Sequence, residues 1–162
     1  DIASPREIPA WCRLTGHRLV AQSHPYYLIM KNGNHRKEEG SVAKTFCVSI
    51  TNSRLDGDKV TVGFVVANAA LGSEQDTLVF LSSDGVWAAV KGEAEKIDEG
   101  APFAPLKELV DKFLAGGGRL LVCSPCLKKR DISEDMLIEG AKPAGGATLV
   151  EWLSEGSPCV CY

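Results

Sequence analysis

The sequence predicts a three-layer α/β domain over residues 44–156, a parallel β-sheet with helices on both faces, and three observations carry that expectation. From Thr45 onward, short runs of β-formers alternate with helical patterns. The runs are nearly continuously apolar rather than alternating, as strands read when both faces of a sheet are covered. Glycine clusters punctuate the pattern, as at Gly116-Gly117-Gly118 and Gly145-Gly146.

Thr45 to Ile50 is the first strand, expected at the centre of the sheet. A polar loop from Thr51 to Gly57 follows it. Asp58 to Leu71 sets Val60, Phe64, Ala67 and Leu71 on one helical face, with Asp58 as cap and Gly72 as stop. Thr77 to Leu81 is a second buried strand. Ser82-Ser83-Asp84 opens a helix through Val86, Trp87, Ala89 and Val90, and Asp84 reads as a cap rather than a catalytic acid. Pro105 to Leu114 is a helix with Leu106, Leu109, Val110 and Phe113 on one face, and Arg119 to Val122 is the third strand. The Cys123-Ser124-Pro125-Cys126 turn leads into a short helix from Leu127 to Arg130, and another runs from Ser133 to Leu137. Ala141 to Ala144 is a weak strand that Pro143 demotes to an edge or a strand end. Thr148 to Leu153 is the last helix, and residues 157–162 form a cysteine-containing tail that reads as irregular. This order of elements suits a flavodoxin-like or related sheet.

Residues 1–43 stand outside the pattern and read as an N-terminal extension with room for one hairpin. Tyr26 to Met30 is its one clear strand, ended by Asn32-Gly33-Asn34. The extension holds His17, His24 and His35, whose spacing makes no metal site, and Cys12, which has no evident partner. The chain begins at Asp1, so a segment upstream was processed, trimmed or left out, and a removed targeting peptide stays open.

Composition narrows the class of function. A chain of 162 residues suits one domain with an extension. At this length roughly 70% of the unfolded surface is buried on folding, so no disulfide or metal staple is needed. Hydrophobic residues make up 44% and charged residues 24%, an ordinary globular balance. A net charge of −3 argues against nucleic acid as a bulk electrostatic partner. No apolar run approaches the roughly 20 residues of a membrane helix, since Thr61, Gly63 and Asn68 interrupt the longest. No membrane partner and no cofactor are therefore expected. The six cysteines fit reduced thiols in a soluble, reducing compartment, cytoplasmic or organellar, better than a disulfide framework.

Chemistry concentrates at Cys123. Ligands of parallel sheets bind beyond the strand carboxyl ends, where Thr51–Asp56, Ser82–Gly85 and Cys123–Cys126 are expected to meet. Cys123 follows a buried strand and precedes a helix whose free N–H groups favour negative charge. Lys128, Lys129 and Arg130 lie one turn on, so a thiol of lowered pKa is expected. Pro125 suits the first turn of that helix, and Cys126 is within reach of Cys123. A Cys-x-x-Cys pair also fits a thioredoxin-like redox site, half a zinc site completed by Cys159 and Cys161, or two incidental thiols. Cys47, inside a strand, reads as a small buried hydrophobe.

Three blocks resemble the DsrE/DsrF-like family: Val79 to Gly92 its second strand and helix, Leu120 to Ile132 its cysteine loop, and Gly140 to Trp152 its closing strand and helix. The resemblance covers about two thirds of the chain and implies an oligomeric α/β protein, a trimer or hexamer. It also implies that Cys123 occupies the position where sulfur-relay members carry a persulfide between a protein donor and a protein acceptor. Two readings follow. In one, Cys123 is the carrier thiol, with Cys126 secondary. In the other, the domain is a non-catalytic binding or assembly module with incidental or metal-binding cysteines. A carrier requires Cys123 to be reachable from solvent.

Overall fold

A parallel pairing pattern organises residues 44–162. The computed structural model describes this stretch together with residues 18–23 and 26–30, Ile8 and Cys12. The chain divides into two compact units, Asp1–Val42 and Ala43–Tyr162. In the first, β1 (Arg18–Ser23) pairs antiparallel with β2 (Tyr26–Met30), with a register irregularity between Leu19 and Ala21. Cys12 is buried. The three histidines, the Asn32-Gly33-Asn34 turn and the surroundings of Cys12 lie outside the described residues.

The second unit holds β3 (Thr45–Ile50), β4 (Asp76–Leu81), β5 (Arg119–Cys123), β6 (Ala141–Ala144) and β7 (Cys159–Cys161) in the order β6-β5-β4-β3-β7, every neighbouring pair parallel. This is the expected parallel α/β sheet, with β3 interior and β4 in the middle place. Pro143 sits in β6, an edge strand, where a missing N–H is tolerated.

Helices α1 (Gly57–Gly72) and α2 (Leu106–Ala115) pack on one face. Val60, Phe64 and Ala67 of α1 and Leu106, Val110 and Phe113 of α2 are fully enclosed with Val48, Ile50, Val79, Leu81, Leu120 and Val122. Full burial of each large side chain stabilises by about 1.5–3 kcal/mol. Asn68 fastens the two helices, donating from Nδ2 to the carbonyls of Phe64 and Leu109, both at 2.9 Å. The cap of α1 is Asp56, not Asp58. The helix starts at Gly57, so Asp56 is the residue with extended backbone, and its carboxylate accepts from Lys59 N–H at 3.2 Å.

The short helix α3 (Ser124–Lys128) begins directly at the Cys-x-x-Cys sequence rather than after it. Helix α4 (Gly146–Ser154) makes the return crossing from β6 to β7. Its direction across the sheet is opposite to that of the β3-to-β4 and β4-to-β5 crossings, so right-handed connection puts it on the other face. Arg119 confirms the side: it alternates with Leu120 on β5, and its guanidinium lies 4.8 Å from the Trp152 ring centroid of α4.

Two expectations change. Ser83–Ala89 is a 3₁₀ segment, and Ser133–Leu137 reduces to a 3₁₀ turn at Glu134–Met136. Val90 instead bridges antiparallel to Leu137, which holds both connections against the core. The tail is not irregular. Cys159–Cys161 is an edge strand, because Cys47 N–H donates to Pro158 O and Tyr162 N–H to Ser49 O, each at 2.9 Å. Among the described residues no helix is long and apolar enough to cross a membrane.

Candidate functional site

Cys123 is the last residue of β5 and the residue that precedes α3. Leu120 and Val122 anchor the strand in the core, so alternation turns Cys123 away from it. Its register partner is Ala144 of the edge strand β6. Cys123 and Cys126 are both half-buried, neither sealed in the core nor fully in solvent. Pro125 falls in the first turn of α3, where its missing N–H is harmless.

The three loops expected beyond the strand ends do meet. The Ser83 N–H donates to Cys126 Sγ at 3.3 Å, and Ser83 holds a left-handed φ of 54° to do so. Asp84 does not cap a helix: its Oδ2 accepts from Ser53 N–H at 2.8 Å and Leu55 N–H at 3.0 Å, clamping the loop after β3. Gly85 N–H donates to Thr51 O at 3.0 Å. A Cβ on Gly85 would lie well inside contact distance of the Ile50 carbonyl, so only glycine lets these backbones approach. Thr51 in turn donates from its N–H and its hydroxyl to Tyr162 O, at 2.8 and 2.9 Å.

The electrostatics of Cys123 reverse the expectation of a lowered pKa. Its thiol is raised above the ordinary value, first by burial and then by the neighbouring Cys126 thiol. The Cys126 backbone N–H and the Arg130 charge pull the other way without prevailing. Arg130 is committed, its Nη1 donating to Cys126 O at 3.1 Å, and Lys128 and Lys129 are exposed. A helix of five residues adds little dipole to compensate desolvation.

The two cysteine pairs are not brought together. β4 and β3 lie between β5 and β7, a separation of roughly 14 Å at the ordinary strand spacing. Among the described residues no group of three or more His, Cys, Asp or Glu is arranged to hold a metal ion. Cys47 instead lies beside Cys159 and is fully buried, as its reading as a small hydrophobe requires.

Sequence reasoning missed a polar cluster around Glu93, which is 8% exposed. Arg54 Nε and Lys96 Nζ each donate to it at 2.7 Å, and the Arg54 guanidinium lies 3.4 Å from the Trp87 ring centroid. Nothing local marks Arg54 and Glu93 as partners, since 39 residues separate them. Beside the cysteine loop, Ser124, Lys128, Asp131, Glu134 and Pro143 line an open depression of about 470 Å³.

Comparison with known proteins agrees with this architecture. The model of the DsrE/DsrF-like family matches residues 44–160. An uncharacterized protein of Methanocaldococcus jannaschii is 32% identical over 132 residues, which is 80% of this chain. The chain spans only 48% of that relative's length. The crystal structure of the YchN protein from E. coli superposes with a TM-score of 0.60 at 20% identity, over 73% of this chain and 99% of that one. A protein of unknown function from Methanobacterium thermoautotrophicum gives a TM-score of 0.57 at 16% identity, over 73% and 98%. At these identities the structural likeness is one of fold.

Proposed function

The chain belongs to the DsrE/DsrF-like family, and on that premise we propose that it is a sulfur carrier that holds a persulfide on Cys123. The observation that carries the reading is the position of Cys123: a half-buried thiol at a strand carboxyl end, beside a second thiol, where two other loops converge.

In this reading the Cys123 thiolate attacks the outer sulfur of a donor protein's persulfide. The donor S–S bond breaks, the donor thiolate leaves, and Cys123–S–SH forms. An acceptor thiolate then attacks the outer sulfur and releases the Cys123 thiolate. Partial enclosure protects the persulfide from bulk solvent while leaving it within reach of a thiol on a docked partner. Cys126 is secondary: it resolves an idle persulfide by attacking the inner sulfur, which forms a Cys123–Cys126 disulfide and expels hydrosulfide. Because the Cys123 thiol is raised, its thiolate is scarce at neutral pH and loading is expected to accelerate as pH rises above neutral.

The test is intact mass spectrometry after incubation with a sulfane donor. Wild type gains sulfur increments that a reductant removes, Cys123→Ser gains none at this loop, and Cys126→Ser still loads. Unchanged loading in Cys123→Ser, or loading confined to Cys159 and Cys161, replaces this reading with a non-catalytic binding or assembly module. The raised pKa of Cys123 is the observation that favours that second reading.

A further inference from the structure

A second set of thiols lies at the β7 edge of the sheet, with β4 and β3 between it and the strand of Cys123. Cys47 and Cys159 are register partners on the neighbouring parallel strands β3 and β7, so their side chains leave the sheet on the same side. Cys161, two residues on, shares that side and pairs with Ser49. Cys47 is fully buried, while Cys159 and Cys161 are exposed. The register is held firmly. Besides the backbone bonds at Cys47, Ser49 and Thr51, the Thr45 and Ser157 hydroxyls bond to each other at the entry of the two strands.

Nearness of the sulfurs also shows in their protonation. Burial pushes the Cys47 thiol up to about 12, and Cys159 and then Cys161 add to the rise. Here a buried thiol lies beside an exposed one across the strand pair, the geometry of a resolving cysteine behind an oxidisable one. Burial raises the Cys159 thiol too, so its oxidation is expected to accelerate as pH rises.

We propose that Cys159 and Cys47 form a redox modification site, a dithiol that a hydroperoxide converts to a cross-strand disulfide. Cys159 sulfur attacks the peroxide, the O–O bond breaks, and Cys159 sulfenic acid forms with release of water or an alcohol. Cys47 sulfur then attacks Cys159 sulfur, the S–O bond breaks, and hydroxide leaves with the Cys47 proton as water. The two thiols lose two electrons in all, and the hydroperoxide takes them. In-register neighbours on parallel strands place their Cα atoms about 5 Å apart, inside the range a disulfide spans. Cys159 and Cys161 are separated by about 6.6 Å along one strand, at the limit of that range, so Cys161 is the poorer partner.

The bond covalently ties β7 to β3. It fixes the edge strand whose end, through Tyr162 O, also receives the Thr51 bonds of the loop leading toward Asp84. Reduction by a dithiol reverses it.

The full chain is treated with hydrogen peroxide, remaining thiols are alkylated, and the peptides are mapped by mass spectrometry. A Cys47–Cys159 cross-link is expected in wild type, in Cys161→Ser and in Cys123→Ser, and it is lost in Cys159→Ser and after dithiothreitol. Cys159 is exposed, so its serine variant keeps the fold. Linkage of Cys159 to Cys161, or oxidation of Cys159 to sulfinic acid while Cys47 stays alkylatable, overturns the proposal. Because Cys123→Ser oxidises in the same way, the outcome does not depend on whether Cys123 carries sulfur.

Discussion

Single residues in this fold are set by what their neighbours do to charge. Glu93 is nearly enclosed, yet two cations hold it ionised, and its pKa falls from 4.5 to about 2. A depressed carboxylate stabilises the folded state fully above its unfolded pKa, and that contribution is lost as pH falls through the folded one. Unfolding by urea is therefore expected to show stability declining between about pH 4.5 and pH 2, with a smaller decline in Glu93→Gln over the same window. Equal slopes in the two proteins would remove Glu93 from the account. Cys123 shows the opposite balance. The sequence places a helix start and three cations after it, and the natural inference is a lowered thiol. Burial, which no spacing rule measures, outweighs both.

At the scale of elements, close approach decides more than propensity. The segment after β4 reads as an amphipathic helix, but Gly85 must lie against the end of β3, and the chain takes a 3₁₀ path from Ser83 to Ala89. Gly85→Ala is expected to destabilise by about 1–3 kcal/mol, the usual effect of overpacking, because the added methyl meets the rigid Ile50 carbonyl. The change is read as a lower denaturation midpoint at unchanged m-value; an unaltered midpoint would contradict the packing. The edge strand β7 teaches the same lesson. Cys159-Val160-Cys161 is too short to announce itself, and pairing with β3 is what sets Val160 toward the core and the thiols on the other face. Only the open edge of β3 makes it a strand.

For the whole molecule, the apolar faces of the helix after β3 and of the segment around Trp87 point inward: Val60, Phe64, Val86, Ala88 and Ala89 are fully enclosed. Exposed apolar surface lies on α4, none of whose nine residues is buried and where Val150 is 66% exposed. Leu55, 81% exposed beside the Asp84 clamp, adds to it. We propose self-association into trimers or hexamers through such surface, in keeping with the family resemblance. Sedimentation at low micromolar concentration is expected to show these species, and Val150→Glu to shift them toward monomer. A wild-type monomer at that concentration would contradict the proposal.

What the sequence determined by itself was the parallel α/β class, the strands Thr45–Ile50 and Thr77–Leu81, the helix Pro105–Leu114 to within a residue, and the cysteine loop at a strand end. These follow from periodicity, glycine punctuation and local turn chemistry, all of which act within one element. The tertiary structure alone decided the rest. It made Asp84 a clamp rather than a cap, joined Arg54 to Glu93, turned the tail into a strand, raised the Cys123 thiol, and set Cys47 against Cys159. These depend on groups far apart along the chain, 112 residues in the case of Cys47 and Cys159. Desolvation and pairing across strands exist only once the sheet has closed, so no local pattern could carry them.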